Sequence, residues 1–299
     1  MARIFITGGT GFVGSSLMPH LAARGHDLVL LTRDERAVSQ LPPRATLVVG
    51  DPLKPGPWWD EVKGCDMAVN LAGAPVMGRW STAYRTTILE SRIKTTQNLV
   101  EAIPEGVAFT LFSASGIGIY GDSGEAELTE EAPTGTDFLA GVAARWEEEA
   151  QKAAKKGARV VVGRMAYVLG REGGLVQELF RNAKSYLGGR VGGGKQWVSW
   201  IHMEDLVDAM TSLLESADAS GVYNLAAPEA VRQADIAKTV RSLLKTRVYP
   251  PLPAFLVRRV LGQVAETIFF SQRVVPVRLL KRGFVHRHPE LRENLRTLL

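Results

Sequence analysis

Residues Arg3 to Asp34 constrain the chain more than any other stretch. Branched apolar residues (Ile4, Phe5, Ile6) run into a glycine-rich turn, and an amphipathic segment starts near Phe12. Gly8, Gly11 and Gly14 stand at G-x-x-G-x-x-G spacing. That spacing lets the backbone turn tightly, come close to a pyrophosphate, and seat the helix against the strand. The helix N-terminus then directs unpaired N–H groups at an anion. A second strand, Asp27 to Leu31, completes a strand–helix–strand unit and raises a weak glycine pattern to a dinucleotide-binding expectation. The second strand ends Leu31-Thr32-Arg33-Asp34. Arg33 stands where a ribose 2′-phosphate would lie, so NADP(H) is favoured over NAD(H); the alternative leaves Arg33 in solvent and gives the ribose to Asp34.

Helix and strand keep alternating after Arg33, which predicts an α/β fold with a doubly wound parallel sheet covered on both faces. Expected elements are a helix over Glu35 to Leu41 and strands over Ala45–Val49 and Met67–Leu71. A long helix falls within Arg79 to Ile103, a strand at Val107–Phe112, a helix at Phe138–Lys156 and a strand at Ala158–Gly163. Beyond these come a helix from about Leu175 to Ala183, a glycine-dense loop to Gly194, a helix at Met203–Ser216 and a strand at Val222–Leu225. The remainder carries a helix at Arg232–Leu244, the breaker Pro250 to Phe255, and short basic helices. We place the main domain over 1–228, with substrate-lobe segments from about 171–200, and a smaller, mainly helical lobe over 229–299.

Ligands of open α/β sheets gather at the carboxyl ends of the strands, which selects the candidates. Asp51 ends the third strand, placed to bond an adenine amino group, with Leu53 against the ring. Asn70-Leu71-Ala72-Gly73 end the fourth, small enough for the nicotinamide ribose to pass. The run Ser113 to Gly121 follows the fifth; Ser115 is placed to polarise a substrate carbonyl, with Tyr120 nearby as a phenol. A hydroxyl-rich turn with a packed Tyr120 explains the same spacing equally well. The acidic loop Gly121 to Asp137 suits a lid or rim. Trp197, Trp200 and His202 could wall a pocket, although alternating aromatics and a lone histidine are more often structural.

The net charge of +5 is uneven: residues 229–299 hold 14 Lys and Arg against 5 Asp and Glu. The basic residues stand singly among apolar ones, as on solvated helix faces, so neither nucleic acid nor membrane is expected as a partner. No apolar run spans a bilayer and no cleavable leader is evident, which predicts a cytoplasmic protein. The one cysteine, Cys65, reads as a small buried residue with no partner for a disulfide, and no metal-ligand spacing is singled out.

Thr7 to Gly14, Asn70 to Gly73, the serines before Tyr120-Gly121 and Trp200 to Leu206 resemble the extended and atypical short-chain dehydrogenase/reductases. More narrowly, the chain resembles the epimerase family proteins of that superfamily. It shares with them Arg79-Trp80, Ser91-Arg92, Asp137 to Ala140 with Trp146-Glu147, and Phe269 to Phe284 with its Ser-Gln-Arg-Val-Val-Pro run. The resemblance implies a Rossmann domain binding NAD(P)(H) and a smaller C-terminal substrate lobe. It implies pyrophosphate contacts from Gly8, Thr10, Gly11, Phe12 and Val13, and a 2′-phosphate contact from Arg33. Asp51 and Leu53 would hold adenine, and Leu71, Ala72 and Gly73 the ribose side. Ser113, Ala114 and Ser115 would line the nicotinamide, with Arg164, Ala166 and Tyr167 near its carboxamide. Arg79, Trp80, Arg92, Trp146, Trp200 and His202, beside Glu147, furnish a cleft for an unidentified small molecule.

The superfamily's proton relay, Tyr-x-x-x-Lys, is missing. Four residues after each of the six tyrosines stand Ile88, Gly124, Arg171, Arg190, Ala227 and Pro253, and the homologous pair is Phe138 and Val142. Neither side chain exchanges a proton, which rules out the usual chemistry. Two functions stay open: an oxidoreductase or epimerase acting on a small carbonyl or sugar-type substrate through Ser115 and Tyr120, or a catalytically silent NADPH sensor. A homodimer is compatible with either.

Overall fold

The computed structural model describes residues 1–38, 40–78, 80–171, 173, 191–246 and 253–299. Seven parallel strands form the central sheet: β1 (Arg3–Thr7), β2 (Asp27–Thr32), β3 (Ala45–Val49), β4 (Met67–Asn70), β5 (Thr110–Gly116), β7 (Arg159–Met165) and β11 (Gly221–Leu225). Their order is β11-β7-β5-β4-β1-β2-β3. The direction of winding therefore reverses between β1 and β4, and the crevice for a ligand opens beyond their carboxyl ends.

The strands alternate their apolar residues between two cores. Ile4, Ile6, Leu28, Leu30 and Val161 face α1 (Phe12–Ala23) and α5 (Met203–Glu215). Phe5, Val29, Leu31, Ala68, Leu111 and Val162 face the other layer, which holds α2 (Trp58–Lys63) and α3 (Thr82–Ala102), with Trp58, Val62, Leu99 and Val100 as their counterparts. α4 (Phe138–Gln151) packs along α3. Burial on both faces is why these strands read as continuous apolar runs. Cys65 is buried and donates its S–H to the Glu61 carbonyl.

A smaller core gathers Leu169, Trp200, Ala227, Ile236, Val240, Leu291 and Leu295. It joins the short strands β8 (Tyr167–Gly170) and β10 (Trp200–His202) to α6 (Gln233–Leu244) and the terminal helix Leu291–Thr297. The run Ser271 to Val274 ties the acidic loop to both parts. Asp122 Oδ1 accepts the Ser271 N–H at 2.9 Å, and Gln272 Nε2 donates to the Ile117 and Gly121 carbonyls at 2.9 Å each. β9 (Trp197–Val198) pairs antiparallel with β12 (Val231–Arg232), and β13 (Arg273–Val274) pairs in parallel with β6 (Glu127–Leu128). Four consecutive residues, Ser271 to Val274, thus help satisfy the backbone of a loop that has little secondary structure of its own.

Several elements differ from expectation. The helix foreseen over Glu35 to Leu41 is a single 3-10 turn, Glu35–Ala37, capped by Asp34. The fifth strand starts at Thr110 rather than Val107 and continues to Gly116, so Ser113, Ala114 and Ser115 are strand residues instead of a turn. Pairing with β7 along its whole length, through Gly116 with Met165, holds these small residues extended. The helix expected at 175–183 and the prolines at 250–252 lie outside the described residues. No described helix is long and apolar enough to cross a membrane.

Candidate functional site

The glycine turn closes directly over the reversal point. Gly8 has φ +73°, and a Cβ there would lie 2.7 Å from both the Leu71 carbonyl carbon and the Ala72 nitrogen. A side chain on Gly14 would meet the Gly8 carbonyl oxygen at 2.5 Å. Gly8 thus brings the β1 turn onto the β4 exit, and Gly14 seats α1 on the turn. The Gly11 N–H bonds the Gly8 carbonyl at 3.0 Å, and Gly11 caps α1 without a side-chain acceptor. The first-turn N–H groups at Phe12 and Val13 therefore face the crevice with the helix dipole behind them, a cradle that fits a pyrophosphate. Thr10 and Gly11 are exposed on its rim.

At the end of β2 two neighbouring charges divide. Asp34 Oδ1 accepts the Arg36 N–H at 3.0 Å and Arg36 Nε at 3.1 Å, so its carboxylate is spent on the local turn. Arg33 stays exposed beside it. Asp51 folds its carboxylate back onto the Leu53 N–H at 3.0 Å, which holds both residues half-buried at the β3 exit.

Buried hydrogen bonds fix the β4 exit. Thr7 Oγ1 donates to Asn70 Oδ1 at 2.7 Å, and Asn70 Nδ2 donates to Thr96 Oγ1 at 2.9 Å. Leu71 and Ala72 follow half-buried, and Gly73 is exposed against the Arg92 guanidinium. Ser91 Oγ accepts the Ala74 N–H at 2.9 Å, and Arg92 Nη1 donates to the Ala74 carbonyl at 3.0 Å. The Ser-Arg pair of α3 therefore shapes this loop.

A polar chain runs inward from the β5 exit. Ser115 Oγ donates to Glu147 Oε1 at 2.6 Å, and Arg164 grips the same carboxylate through Nε and Nη2, both at 2.8 Å. Arg164 Nη1 also donates to Tyr120 Oη at 2.9 Å, and the phenol donates to Asn224 Oδ1 at 2.6 Å. Burial by itself would depress the Arg164 guanidinium, but the Glu147 carboxylate more than offsets it and holds its pKa above the usual value. Burial pushes the Tyr120 phenol up, only partly countered by Arg164.

Phe138 and Val142, which the resemblance sets in place of the usual tyrosine and lysine, lie in the first half of α4. Val142 is buried, and Phe138 meets Trp80 edge-on at 5.2 Å, with Arg85 Cζ 4.2 Å over its ring centroid. Trp80 Nε1 donates to the Val76 carbonyl at 2.8 Å. Trp80 meets Phe138 at the start of α4, whereas Arg92 and Trp146 meet each other midway along α3 and α4, with the guanidinium 5.1 Å from the ring centroid. Arg79 lies outside the described residues.

Three expectations need correction on physical grounds. Tyr120 is 3% exposed with both hydrogen-bonding directions committed, so its phenol has no free path to a substrate proton. Trp200 is 1% exposed in the core of the smaller lobe and has no face to offer a ligand. His202 is buried as the N-cap of α5, its Nδ1 accepting the Glu204 N–H at 3.2 Å and its Nε2 lying 3.3 Å from Thr297 Oγ1. Its ring lies tilted by 42° against His288 with centroids 3.9 Å apart, and burial followed by His288 holds its pKa down. His202, Glu204 and His288 bring ligand-type atoms within 4.8 Å of one another beside a cavity of about 650 Å³, a grouping no spacing in the sequence announces. Arg164 and Ala166 are buried at the β7 end and Tyr167 is exposed.

The ion pair of Glu147 with Arg164 was also beyond sequence reading, which took each residue for a separate contact. The signal available was only that both charges stand within apolar surroundings.

The sequence profile of the NAD dependent epimerase/dehydratase family matches residues 4–226, and that of a domain of unknown function, DUF1731, matches 252–298. Epimerase family protein SH2119 of Staphylococcus haemolyticus is 36% identical over 295 residues, covering 98% of this chain and 97% of the relative. The chloroplastic epimerase family protein SDR39U1 homolog of Arabidopsis thaliana is 34% identical over 303 residues, covering 99% of this chain and 86% of the relative. Among solved structures, human epimerase family protein SDR39U1 (isoform 2), crystallised with NADPH, superposes with a TM-score of 0.82 at 33% identity, covering 99% of this chain and 98% of that one. With a Rossmann sheet whose glycine turn closes over the reversal point, the chain belongs to the NAD-dependent epimerase/dehydratase family.

Proposed function

We propose that the protein binds NADP(H) and is an oxidoreductase or epimerase acting on a small carbonyl or sugar-type substrate. The observation that carries this reading is the fit of Gly8 against Leu71 and Ala72 beneath the uncapped start of α1, a cradle that a single Cβ would fill. Phe12 and Val13 N–H groups hold the pyrophosphate, with Gly8, Thr10 and Gly11 providing the close approach. Arg33 takes the 2′-phosphate, a reading supported by the commitment of Asp34 to Arg36 and by the NADPH in the human relative's structure. Asp51 and Leu53 border the adenine, Leu71, Ala72 and Gly73 the ribose, and Ser113, Ala114, Ala166 and Tyr167 the nicotinamide.

When bound, the nicotinamide supplies hydride transfer. Ser115, buried with its hydroxyl on Glu147 but with its oxygen still open as an acceptor among the described residues, is the group we assign to relay a proton at the β5 exit. Its Oγ takes a substrate hydroxyl proton as its own passes to Glu147, the reverse direction running the same way backwards, and Arg164 keeps that carboxylate in place. Trp80, Arg92 and Trp146 border the substrate. Calorimetric titration with NADPH, NADH and the oxidised forms, repeated on Arg33→Ala, tests the cofactor assignment. Selective weakening of NADPH in the variant is expected; no binding of any form would overturn it.

The presence of Phe138 and Val142 in place of the proton relay favours a second reading, a catalytically silent NADPH sensor. It predicts that no aldehyde or ketone accelerates NADPH oxidation. A turnover that Ser115→Ala abolishes would dispose of it.

A further inference from the structure

Among the described residues, Arg92 is a half-buried cation with no anionic partner. Its Nη1 donates to the Ala74 carbonyl at 3.0 Å and the Ile88 carbonyl at 3.1 Å, and among the described residues no carboxylate pairs with it. Arg164 has the bidentate grip of Glu147 for the same burden. An unpaired buried charge is costly, and burial accordingly pulls Arg92 down to about 10. The Nη2 side of the fork lies against Gly73 at the β4 exit: a Cβ on Gly73 would lie 3.0 Å from Arg92 Cζ and 3.2 Å from Nη2. Gly73 is exposed and puts no side chain on that edge.

Trp146 completes the place. The Arg92 guanidinium stands 5.1 Å from its ring centroid, and the indole Nε1–H is buried without a partner among the described residues. Its ring packs with Ala114 and Met165, at the ends of β5 and β7, beside the exit where Ser115 lies. A planar fork over an aromatic face, with its Nη2 side at the exposed Gly73 and a buried unpartnered indole N–H beside it, matches the two oxygens of a carboxylate or phosphate.

We propose that Arg92 recognises an oxyanion, a carboxylate or phosphate carried by the substrate, at the carboxyl edge of β4, with Trp146 as the platform that orients the guanidinium. This deepens the enzymatic reading above and rests on it for the word substrate. The substrate class is then an anionic carbonyl or sugar compound, its charge held by Arg92 while its reacting carbon lies toward Ser115.

The test follows the Trp146 indole resonance by NMR in the full chain, assigned with Trp146→Phe. The probes are inorganic phosphate and malonate, titrated with and without saturating NADPH. The expected result is a saturable shift of that resonance while NADPH stays bound, weakened about tenfold or more in Arg92→Gln. Arg92→Lys, which keeps the charge and loses the fork, is read in parallel and should weaken malonate severalfold should the glutamine variant not fold. No shift up to about 100 mM probe, or an equal shift in both variants, would overturn the proposal. So would displacement of the probe by NADPH, because the oxyanion would then be the cofactor's own. A probe that binds through Arg92 in a chain that takes no NADPH would leave the oxyanion site standing and remove the dinucleotide reading.

Discussion

Ser115 Oγ lies 2.6 Å from Glu147 Oε1, on a carboxylate that Arg164 already holds through two bonds of 2.8 Å. One acid therefore joins β5, α4 and β7, and its loss strands a buried cation. Glu147→Ala is expected to destabilise the fold by about 3 to 5 kcal/mol, and Arg164→Met by a similar amount. Urea unfolding followed by circular dichroism measures this. Ser115→Ala removes only one hydrogen bond and should cost about 1 kcal/mol while leaving NADPH affinity within about twofold.

Tyr120 serves the same chain as a bridge to Asn224. Tyr120→Phe should lower stability by about 1 to 3 kcal/mol, since it leaves Asn224 Oδ1 without its donor. Any NADPH-dependent turnover should keep its pH profile in this variant. A profile that moved would return the phenol to the chemistry.

The glycine turn separates two kinds of damage. Gly8→Ala meets backbone at 2.7 Å and a left-handed φ, so a loss of about 2 kcal/mol or more is expected together with loss of dinucleotide binding. Gly14→Ala meets the Gly8 carbonyl at 2.5 Å and should move α1 outward, weakening the nucleotide as well. By contrast Gly106, with nothing within 4 Å of a Cβ, should tolerate asparagine at small cost and with nucleotide affinity unchanged.

Two buried histidines set a direction with pH. Burial holds both His202 and His286 below the ordinary imidazole value. In the unfolded chain they take up protons at about pH 6.5, so the unfolded state binds more protons as pH drops below that point. Stability should be full above pH 6.5 and fall as pH drops through the depressed folded values. The urea midpoint should therefore decrease between about pH 7 and pH 5.5, and less steeply in His202→Asn, which keeps a helix-capping oxygen.

Much of the frame was legible before any coordinates. β3 runs over the residues expected, Ala45–Val49, because apolar residues bounded by Arg44 and Gly50 leave little choice of ends. The strand at Thr110–Gly116 was misread at its exit because serine and glycine suggest a turn when taken locally, whereas pairing with β7 keeps them extended. The helix expected over Glu35–Leu41 failed for a related reason: Asp34 caps one turn, and Pro42 and Pro43 follow too soon to continue it.

The site divides in the same manner. Glycine spacing announced the cradle, since φ and closeness of approach are properties of one residue and its neighbours. The absence of any Tyr-x-x-x-Lys was equally plain, because chemical capacity resides in side-chain type.

What the sequence by itself determined was the order of strands and helices, the dinucleotide cradle and the absence of a tyrosine–lysine pair, all of them local in spacing. Only the tertiary structure decided that Glu147 pairs with Arg164, that Tyr120 and Trp200 are interior, and that Arg92 stands over Trp146 with no carboxylate partner among the described residues. Burial and pairing depend on residues brought from distant parts of the chain, and they set the energy of a charge or a hydroxyl as strongly as its chemical type does.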